Sequence, residues 1–241
     1  VGALKEGDGF VSLGTSGGLL VAKDSFAPLP ASAVHTFCHA VPGKWYQMGV
    51  ILAATDSLNW LARNLGKDAA ALSNALGDRI SGPNAMQFLP YLSGERTPHN
   101  DSAVRGAFLN IDISATCDDL TQSVMEGVSF ALRDSLEALK LTGTNLTRAL
   151  AIGGGSQSSY WLELVATVLD LPLDVPEKGE FGAALGAARL AIVGATGAQP
   201  DAVMTPPKIA RTIHPRTDLS ADYSAAYDRY RSTYPVLKAL P

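Results

Sequence analysis

Cysteine is nearly absent from this sequence. The 241 residues include only two cysteines, Cys38 and Cys117, whose separation does not match the short spacing of metal-binding cysteine pairs. So few thiols in a chain of this size indicate a reducing compartment. Apolar runs are also short, because Gly, Asp or Arg interrupts them well before the roughly 20 residues that a membrane-spanning helix needs. We therefore expect no membrane span and a cytoplasmic location.

Basic stretches are lacking as well. The formal net charge is -4, so the electrostatic footprint that is typical of nucleic-acid binding is missing, and we expect no nucleic-acid partner. The pattern G-x-x-x-x-G-K-[ST] does not occur, which excludes a P-loop NTPase as far as motifs can exclude one. With 46% hydrophobic and 17% charged residues, the composition is that of a folded globular protein.

A glycine-rich turn lies between two β-prone runs near the start of the chain. Phe10–Leu13 and Leu19–Ala22 flank the turn Gly14–Gly18, and this pattern predicts a β-hairpin. The turn glycines expose backbone N–H groups, and the hydroxyls of Thr15 and Ser16 can donate to phosphate oxygens. On this motif alone, a phosphate-contacting hairpin and a plain hairpin remain equally open.

A second glycine turn, Gly153–Gly155, joins a predicted strand, Arg148–Ile152, to a predicted helix, Ser156–Leu169. Free N–H groups and the positive end of the helix dipole favour an anion at such a junction. Glycine also permits a ligand to approach the backbone closely. A tight turn without a ligand stays equally open from this triplet alone.

Two other enzyme classes match fragments of these turns. A serine hydrolase could use Ser16 in a G-x-S-x-G elbow with His214 downstream, but an elbow requires a helix after the turn, and a second strand is predicted there. A dinucleotide fingerprint could begin at Gly153, with Asp174 as the ribose-binding acid. Its third glycine is replaced by Ser158, and a hairpin precedes it rather than half of a Rossmann unit.

Helical periodicity predicts two longer helices. Apolar residues recur at helical spacing from Met48 to Leu65, and Gly66 follows as a C-cap. The second helix is predicted from Thr116 to Lys140, with Asp118 or Asp119 capping its start.

The remaining pattern alternates strands and helices. A strand is predicted at 171–175, a helix of small residues at 181–193, and a terminal helix where Tyr223, Tyr227, Tyr230 and Tyr234 recur at spacings of three and four. The long segment 86–113 has little periodicity, and long loops of this kind are often functional. This alternation predicts an α/β fold.

The two glycine turns, taken with their order and spacing, resemble those of the FGGY carbohydrate kinases. Gly14-Thr15-Ser16-Gly17 is similar to the phosphate hairpin of that family, and the turn Gly153-Gly154-Gly155 is similar to its adenosine loop. Within the family, the segments 90–98, 126–134 and 230–238 are similar to the xylulokinase group, and the Gly-Glu-Arg-Thr-Pro run in the first of them is the most specific. One departure is Asn110, because the family's second signature usually has glycine there.

This resemblance implies a ribonuclease H-like, actin-like ATPase domain with a mixed central sheet flanked by helices. It implies that ATP and Mg²⁺ are used to phosphorylate a pentulose, D-xylulose, to D-xylulose 5-phosphate in xylose catabolism. Thr15 would contact the β- and γ-phosphates, Gly154 and Gly155 would approach the α-phosphate and adenosine, and Ser159 would face the base or ribose. A side chain at Gly155 would then enter the space of the nucleotide.

Thr55 and Asn59 match positions that line the nucleotide pocket in related kinases. For these two, an exposed helix face remains equally open, since a spacing of four residues places them on one face of the helix in either case.

The resemblance also implies how the chain relates to a whole kinase. Residues 1–241 would be the C-terminal ATPase domain, and the catalytic aspartate is expected in a glycine-rich segment just before Val1, with no metal ligand supplied by this chain. The N-terminal domain, which forms most of the sugar site, is the expected partner, and a homodimer is a further possibility. Two alternatives stay open, namely another FGGY pentose or polyol kinase and a nucleotide-binding or interaction module without turnover.

Overall fold

A mixed β-sheet forms the centre of the molecule. The computed structural model of the chain describes residues 2–177 and 182–239. Within them the central sheet has seven strands: β1 (Gly9–Leu13), β2 (Gly17–Lys23), β3 (His35–Cys38), β4 (Trp45–Ile51), β7 (Ala149–Ile152), β8 (Leu173–Pro176) and β9 (Ile209–Ile213). A separate two-stranded ladder joins β5 (Gln87–Leu89) to β6 (Ala107–Leu109).

The strand order of the central sheet is β3-β4-β2-β1-β7-β8-β9. Strands β1 to β4 are joined by antiparallel pairing, β1 pairs with β7 and β7 with β8 in parallel, and β9 closes the edge antiparallel to β8. The predicted α/β class with a mixed sheet is therefore confirmed. The predicted hairpin is confirmed too, since β1 and β2 pair directly across the turn.

Helices flank this sheet, as predicted. They are α1 (Thr55–Leu65), α2 (Ala69–Ala75), α3 (Cys117–Leu141), α4 (Ser159–Leu169), α5 (Gly182–Thr196), α6 (Pro200–Val203) and α7 (Ser220–Lys238). Helix α3 packs against β2 and β4 and contacts α1 and α4. The core lies on this side, because alternating β1 residues, Val11 and Leu13, are fully buried there.

The predicted helix from Met48 to Leu65 is wrong in its first part. Trp45–Ile51 is strand β4, whose side chains alternate between fully buried positions and half-buried ones, and only Thr55–Leu65 is helical. The predicted cap of α3 also differs. Thr116 caps the helix by accepting from the Asp119 N–H, and the Asp119 side chain accepts from the Thr116 N–H in return.

Other predicted elements are confirmed with small shifts of their ends. Strand β7 and the terminal helix α7 are present, and three of its tyrosines, Tyr223, Tyr227 and Tyr230, are buried. The helix expected at 181–193 is observed as α5, although Phe181 lies outside the described residues. Strands β3 and β9 were not predicted. Over the described residues, none of the helices combines the length and apolar character that a bilayer span would need.

Candidate functional site

The tip of the β1–β2 hairpin rests on the N-terminus of α1. The backbone N–H groups of Ala54 and Asp56 donate to the carbonyl oxygen of Thr15 at 2.8 and 3.2 Å, and that of Thr55 donates to the carbonyl oxygen of Gly14 at 2.9 Å. The hydroxyl of Thr55 donates to the same Gly14 oxygen at 2.8 Å. The hairpin therefore satisfies N–H groups that have no partner within the helix, and no side chain caps α1.

The second glycine turn packs against the base of the same hairpin. Gly153 has a φ of 92°, which favours glycine, and a Cβ atom there would lie 2.7 Å from the carbonyl oxygen of Leu13. A Cβ atom on Gly155 would lie 2.8 Å from the Leu13 Cβ and 3.1 Å from the Thr55 Cγ2. Hairpin, glycine turn and the start of α1 thus form one contiguous unit.

A short 3₁₀ turn, Gly154–Gln157, connects the glycine turn to α4. Ser158 caps α4, because its side-chain oxygen accepts from the N–H of Trp161 at 3.2 Å. Ser159 is the first residue of the helix and its hydroxyl accepts from the exposed guanidinium of Arg211 at 3.3 Å. A cation therefore stands beside a helix N-terminus that itself carries partial positive charge.

The exposed groups of this unit are the ones available to a ligand. Thr15 and Ser16 are exposed at the hairpin tip, Gly154 is exposed in the turn, and a Cβ atom on Gly154 would meet nothing within 4 Å. Asn59 is exposed one turn further along α1. Hydroxyl donors and open backbone lie together here beside the N-terminus of α4, and this combination suits an anion such as a polyphosphate.

The structure brings together most of the candidate residues that the sequence identified. Direct contacts join Gly14 and Thr15 to the start of α1 and place Thr55 against the glycine turn. Gly17 packs where a Cβ atom would lie 2.9 Å from the Ile51 side chain. Ser159 belongs to the adjoining helix N-terminus. Asn59 has an exposed side chain, which fits both a pocket-lining position and a solvent-facing helix face.

The expectation for Gly155 is wrong in one respect. We expected a side chain at Gly155 to enter the space of the nucleotide. It would instead collide with Leu13 of the hairpin, since Gly155 is buried and its Cβ would point into the protein. Gly154 is the open position of the turn. The sequence could not distinguish these two neighbours, because that choice depends on the 3₁₀ geometry after Gly153.

One contributor escaped the sequence patterns altogether. Arg211 lies on the unpredicted edge strand β9, about 50 positions from the helix that it contacts, so no local motif indicates it. The backbone donors at Ala54 and Asp56 were missed for a related reason. Their segment was predicted to lie inside a helix, where N–H groups are already paired.

The two alternative enzyme classes lack their required geometry. Ser16 is followed by strand β2 and not by a helix, so no nucleophile elbow is present. Asp174 accepts from the hydroxyl of Thr212 at 2.6 Å and pairs with Arg148 at 3.4 Å. Asp174 pairs with Leu150 in the β7–β8 ladder, two residues before the strand end at which the glycine turn begins. It is therefore set back from the turn, and a ribose bound at the turn would not meet it at a strand end.

The described residues contain no cluster of three or more His, Cys, Asp or Glu side chains that could hold a metal ion. Mg²⁺ is commonly bound by substrate phosphates and water with only one or two carboxylates. The donor set of this site, hydroxyls and backbone N–H groups, therefore fits the phosphates of a metal–nucleotide complex rather than a bare cation.

Most of the chain matches a family model of known proteins. The family model described as FGGY family of carbohydrate kinases, C-terminal domain, matches residues 9–195. The chain belongs to the FGGY carbohydrate kinases. The chain is 39% identical over 196 residues to the xylulose kinase of Escherichia coli K12. This match covers 81% of the chain and 40% of that protein.

Solved structures give the same result for this FGGY chain. A crystal structure described as a xyloylose kinase from Brucella ovis is 51% identical with a TM-score of 0.95, covering all of this chain and 50% of the other. The xylulose kinase from Rhodospirillum rubrum is 27% identical with a TM-score of 0.83, covering 98% and 48%. The chain thus spans about half the length, or less, of the kinases it matches.

The FGGY departure at Asn110 has a simple explanation in the structure. Asn110 has a φ of 58°, in the left-handed region that the usual glycine of the family adopts without steric strain. Asparagine tolerates this region better than most residues, and its side-chain amide donates to the carbonyl oxygen of Ala85 at 3.0 Å. The turn is therefore kept without glycine.

Proposed function

We propose that this chain is the ATP-binding half of a kinase that phosphorylates D-xylulose to D-xylulose 5-phosphate. The observation that carries the proposal is the single unit formed by the hairpin tip, the N-terminus of α1 and the glycine turn, with Thr15 and Gly154 on its exposed side. The similarity to kinases named for xylulose supports the choice of sugar.

The residues have distinct roles in this proposal. Gly14 to Gly17 form the hairpin tip, where Thr15 and Ser16 donate to the β- and γ-phosphates. Gly153 to Gly155 form the wall beside the α-phosphate and adenosine, with Gly154 nearest the ligand.

Ser159 faces the base or ribose at the start of α4, and Thr55 holds the hairpin in place. Asn59 lines the outer side of the pocket. The phosphates would carry Mg²⁺, which would neutralise part of their charge.

The sugar hydroxyl attacks the γ-phosphorus, the bond between that phosphorus and the β–γ bridging oxygen breaks, and ADP leaves. The proton of the hydroxyl must pass to a base. We propose that this base is an aspartate of the N-terminal half, and that residues 1–241 form the C-terminal ATPase domain. In this arrangement the chain holds ATP on one side of a cleft and its partner half holds the sugar on the other.

The surface of α5 supports an N-terminal half as partner. Leu190 and Ile192 are apolar yet 41% and 48% exposed, and a groove of about 840 Å³ lies between α5 and the strands. Apolar surface of this kind is typical of an interaction site. A homodimer through the same surface is the competing proposal. Light scattering of the chain, alone and with its other half, distinguishes a self-associated species from a one-to-one complex.

An ADP-release assay tests the proposed function. The 241-residue chain is expected to show no D-xylulose-dependent turnover, because loss of a positioned base costs on the order of 10²–10⁴ in rate. Adding the N-terminal half should restore turnover with D-xylulose in preference to other pentuloses and polyols. A different preferred sugar would favour another FGGY kinase. Strong turnover by the chain alone would place the base within it and contradict the domain proposal.

A further inference from the structure

The loop Ser93–Pro98 continues the central sheet beyond the end of β3. Strand β3 stops pairing with β4 where His35 is opposite Met48. Beyond that point, the N–H of Thr97 donates to the carbonyl oxygen of Val50, and the N–H of Val50 donates to the Thr97 hydroxyl oxygen, both at 3.0 Å. Thr97 thus takes the place of a β3 residue and pairs with the C-terminal end of β4, on the side that β3 no longer covers.

Glu95 extends this contact to the residue after the strand. Its Oε1 accepts from the N–H of Leu52 at 3.0 Å and from the N–H of Arg96 at 2.7 Å. The side chain is only 2% exposed, and its Oε2 is buried with no hydrogen-bond partner within the described parts of the chain. A buried carboxyl group with half of its hydrogen-bonding capacity unused is costly, so an apolar residue would be favoured here if packing alone mattered.

The segment held by Glu95 is the one that supports the hairpin tip. From Leu52 the chain runs directly into the N–H groups of Ala54, Thr55 and Asp56, which donate to the carbonyl oxygens of Gly14 and Thr15. The five residues from Leu52 to Asp56 are therefore fixed by Glu95 at one end and by the hairpin tip at the other. A shift of Leu52 would move the donors that orient the hairpin.

We propose that Glu95 is a positioning residue of the nucleotide site, which acts through the Leu52 N–H to fix the donors that hold the phosphate-binding hairpin tip. The inference rests on the proposed nucleotide-binding function. In this proposal Glu95 does not contact the nucleotide. The oxygen that accepts from the Leu52 N–H is what the positioning requires, and a negative charge is not. Burial favours the neutral form of Glu95 and raises its pKa to about 8, which is consistent with that assignment.

Two variants separate the accepting oxygen from the shape of the side chain. Glu95→Met keeps the length of the side chain and removes the acceptor, whereas Glu95→Gln keeps an accepting oxygen without a charge. MgATP and adenosine are titrated calorimetrically into each purified chain. Glu95→Met should weaken MgATP about tenfold, the factor expected for loss of one buried acceptor, and change adenosine less than about twofold. Glu95→Gln should bind both as wild type does.

The matched control is Ser93→Ala, since Ser93 is exposed in the same loop and should change neither affinity. Unchanged MgATP affinity in Glu95→Met would overturn the inference, as would an equal loss for both ligands, because a general loosening of the fold predicts equal losses. Failure of the wild-type chain to bind MgATP would overturn the proposed function and this inference together.

Hydrogen exchange supplies a second measurement that does not depend on Glu95→Met folding. If Glu95 and the hairpin fix one segment from its two ends, MgATP bound at the hairpin should slow exchange of the Leu52 amide in the wild-type chain. The amide of Gln47, on the far half of β4, serves as the internal reference. A Leu52 exchange rate that MgATP does not change would contradict the coupling.

Discussion

Thr55 donates both its backbone N–H and its side-chain hydroxyl to one acceptor, the carbonyl oxygen of Gly14, at 2.9 and 2.8 Å. The two residues are 41 positions apart in sequence. This double contact joins the start of α1 to the tip of the first hairpin, and it leaves the outer side of the tip exposed. In the candidate nucleotide site, the backbone of the hairpin tip is therefore held in position by the Thr55 side chain, which need not contact the ligand itself.

Replacing Thr55 tests that arrangement. Thr55→Val keeps the shape of the side chain and removes the hydroxyl donor, which should lower the free energy of unfolding by about 1 kcal/mol. The loosened hairpin should then bind MgATP about fivefold more weakly, with adenosine less affected. Urea unfolding and calorimetry measure the two effects. Thr233→Val, which removes a hydroxyl bonded to the carbonyl oxygen of Arg229 in α7, should lower stability only.

Thr15 should behave differently, because it is exposed at the tip. Thr15→Ala removes a donor to a charged phosphate, a hydrogen bond worth about 1.5–3 kcal/mol, and should leave the free energy of unfolding unchanged. The loss should be larger for MgATP than for adenosine. Titration of both ligands against wild type and variant measures this difference. Equal losses for the two ligands would show that Thr15 does not contact the phosphates.

The two glycines of the turn should respond in opposite ways to a side chain. Gly154→Val adds atoms on the open side and should abolish nucleotide binding while the chain stays folded. Gly155→Val would overlap Leu13 and should lower the free energy of unfolding by about 1–3 kcal/mol, the usual range for overpacking a filled site. Circular dichroism with thermal melts, followed by MgATP titration, distinguishes them. Wild-type MgATP binding by Gly154→Val would remove the turn from the nucleotide site.

Much of the fold could be predicted from local pattern. The β1–β2 hairpin follows from turn glycines between β-prone runs, and α3 follows from helical periodicity over 25 residues. The error at β4 has a physical cause, since Val50 and Leu52 also fit the spacing of the helix that starts at Thr55. In β4 the buried positions include Gln47 and Gly49, whereas the half-buried Met48 and Val50 are apolar, so the usual alternation of buried apolar and outward polar residues is missing.

The site was less accessible to sequence analysis than the fold. The glycine turns indicate where backbone can approach a ligand, and the family resemblance indicates which ligand. The contact between Thr55 and Gly14, and the choice between Gly154 and Gly155, depend on tertiary packing. The same holds for Glu95, whose motif is visible in the sequence but whose bond to Leu52 exists only once β4 and the loop are folded together.

The buried carboxyl group of Glu95 predicts a pH dependence of stability. Its pKa in the folded chain, about 8, lies above the ordinary 4.5, so unfolding at intermediate pH releases a proton. The contribution of Glu95 is therefore full below pH 4.5 and is lost as the pH rises to about 8. As the pH rises from 5 to 8, the free energy of unfolding should fall by about 2–4 kcal/mol more in wild type than in Glu95→Gln.

Urea unfolding at a series of pH values measures this difference. Glu126, whose burial raises its pKa to about 7, contributes equally to both proteins and cancels in the comparison. The Asp228→Asn variant, at an exposed position of α7, is the matched control and should follow wild type. Parallel curves for wild type and Glu95→Gln would show that Glu95 titrates as an ordinary carboxyl group.

Calorimetric titration of MgATP into the wild-type chain tests whether the hairpin tip and the glycine turn form a nucleotide site. We expect saturable one-to-one binding that D-xylulose leaves unchanged, because the sugar contacts are assigned to the N-terminal half. Adenosine should bind the same site more weakly, since it cannot use the hairpin donors at Thr15 and Ser16. Absence of MgATP binding by the folded chain would contradict the nucleotide site, and with it the functional proposal.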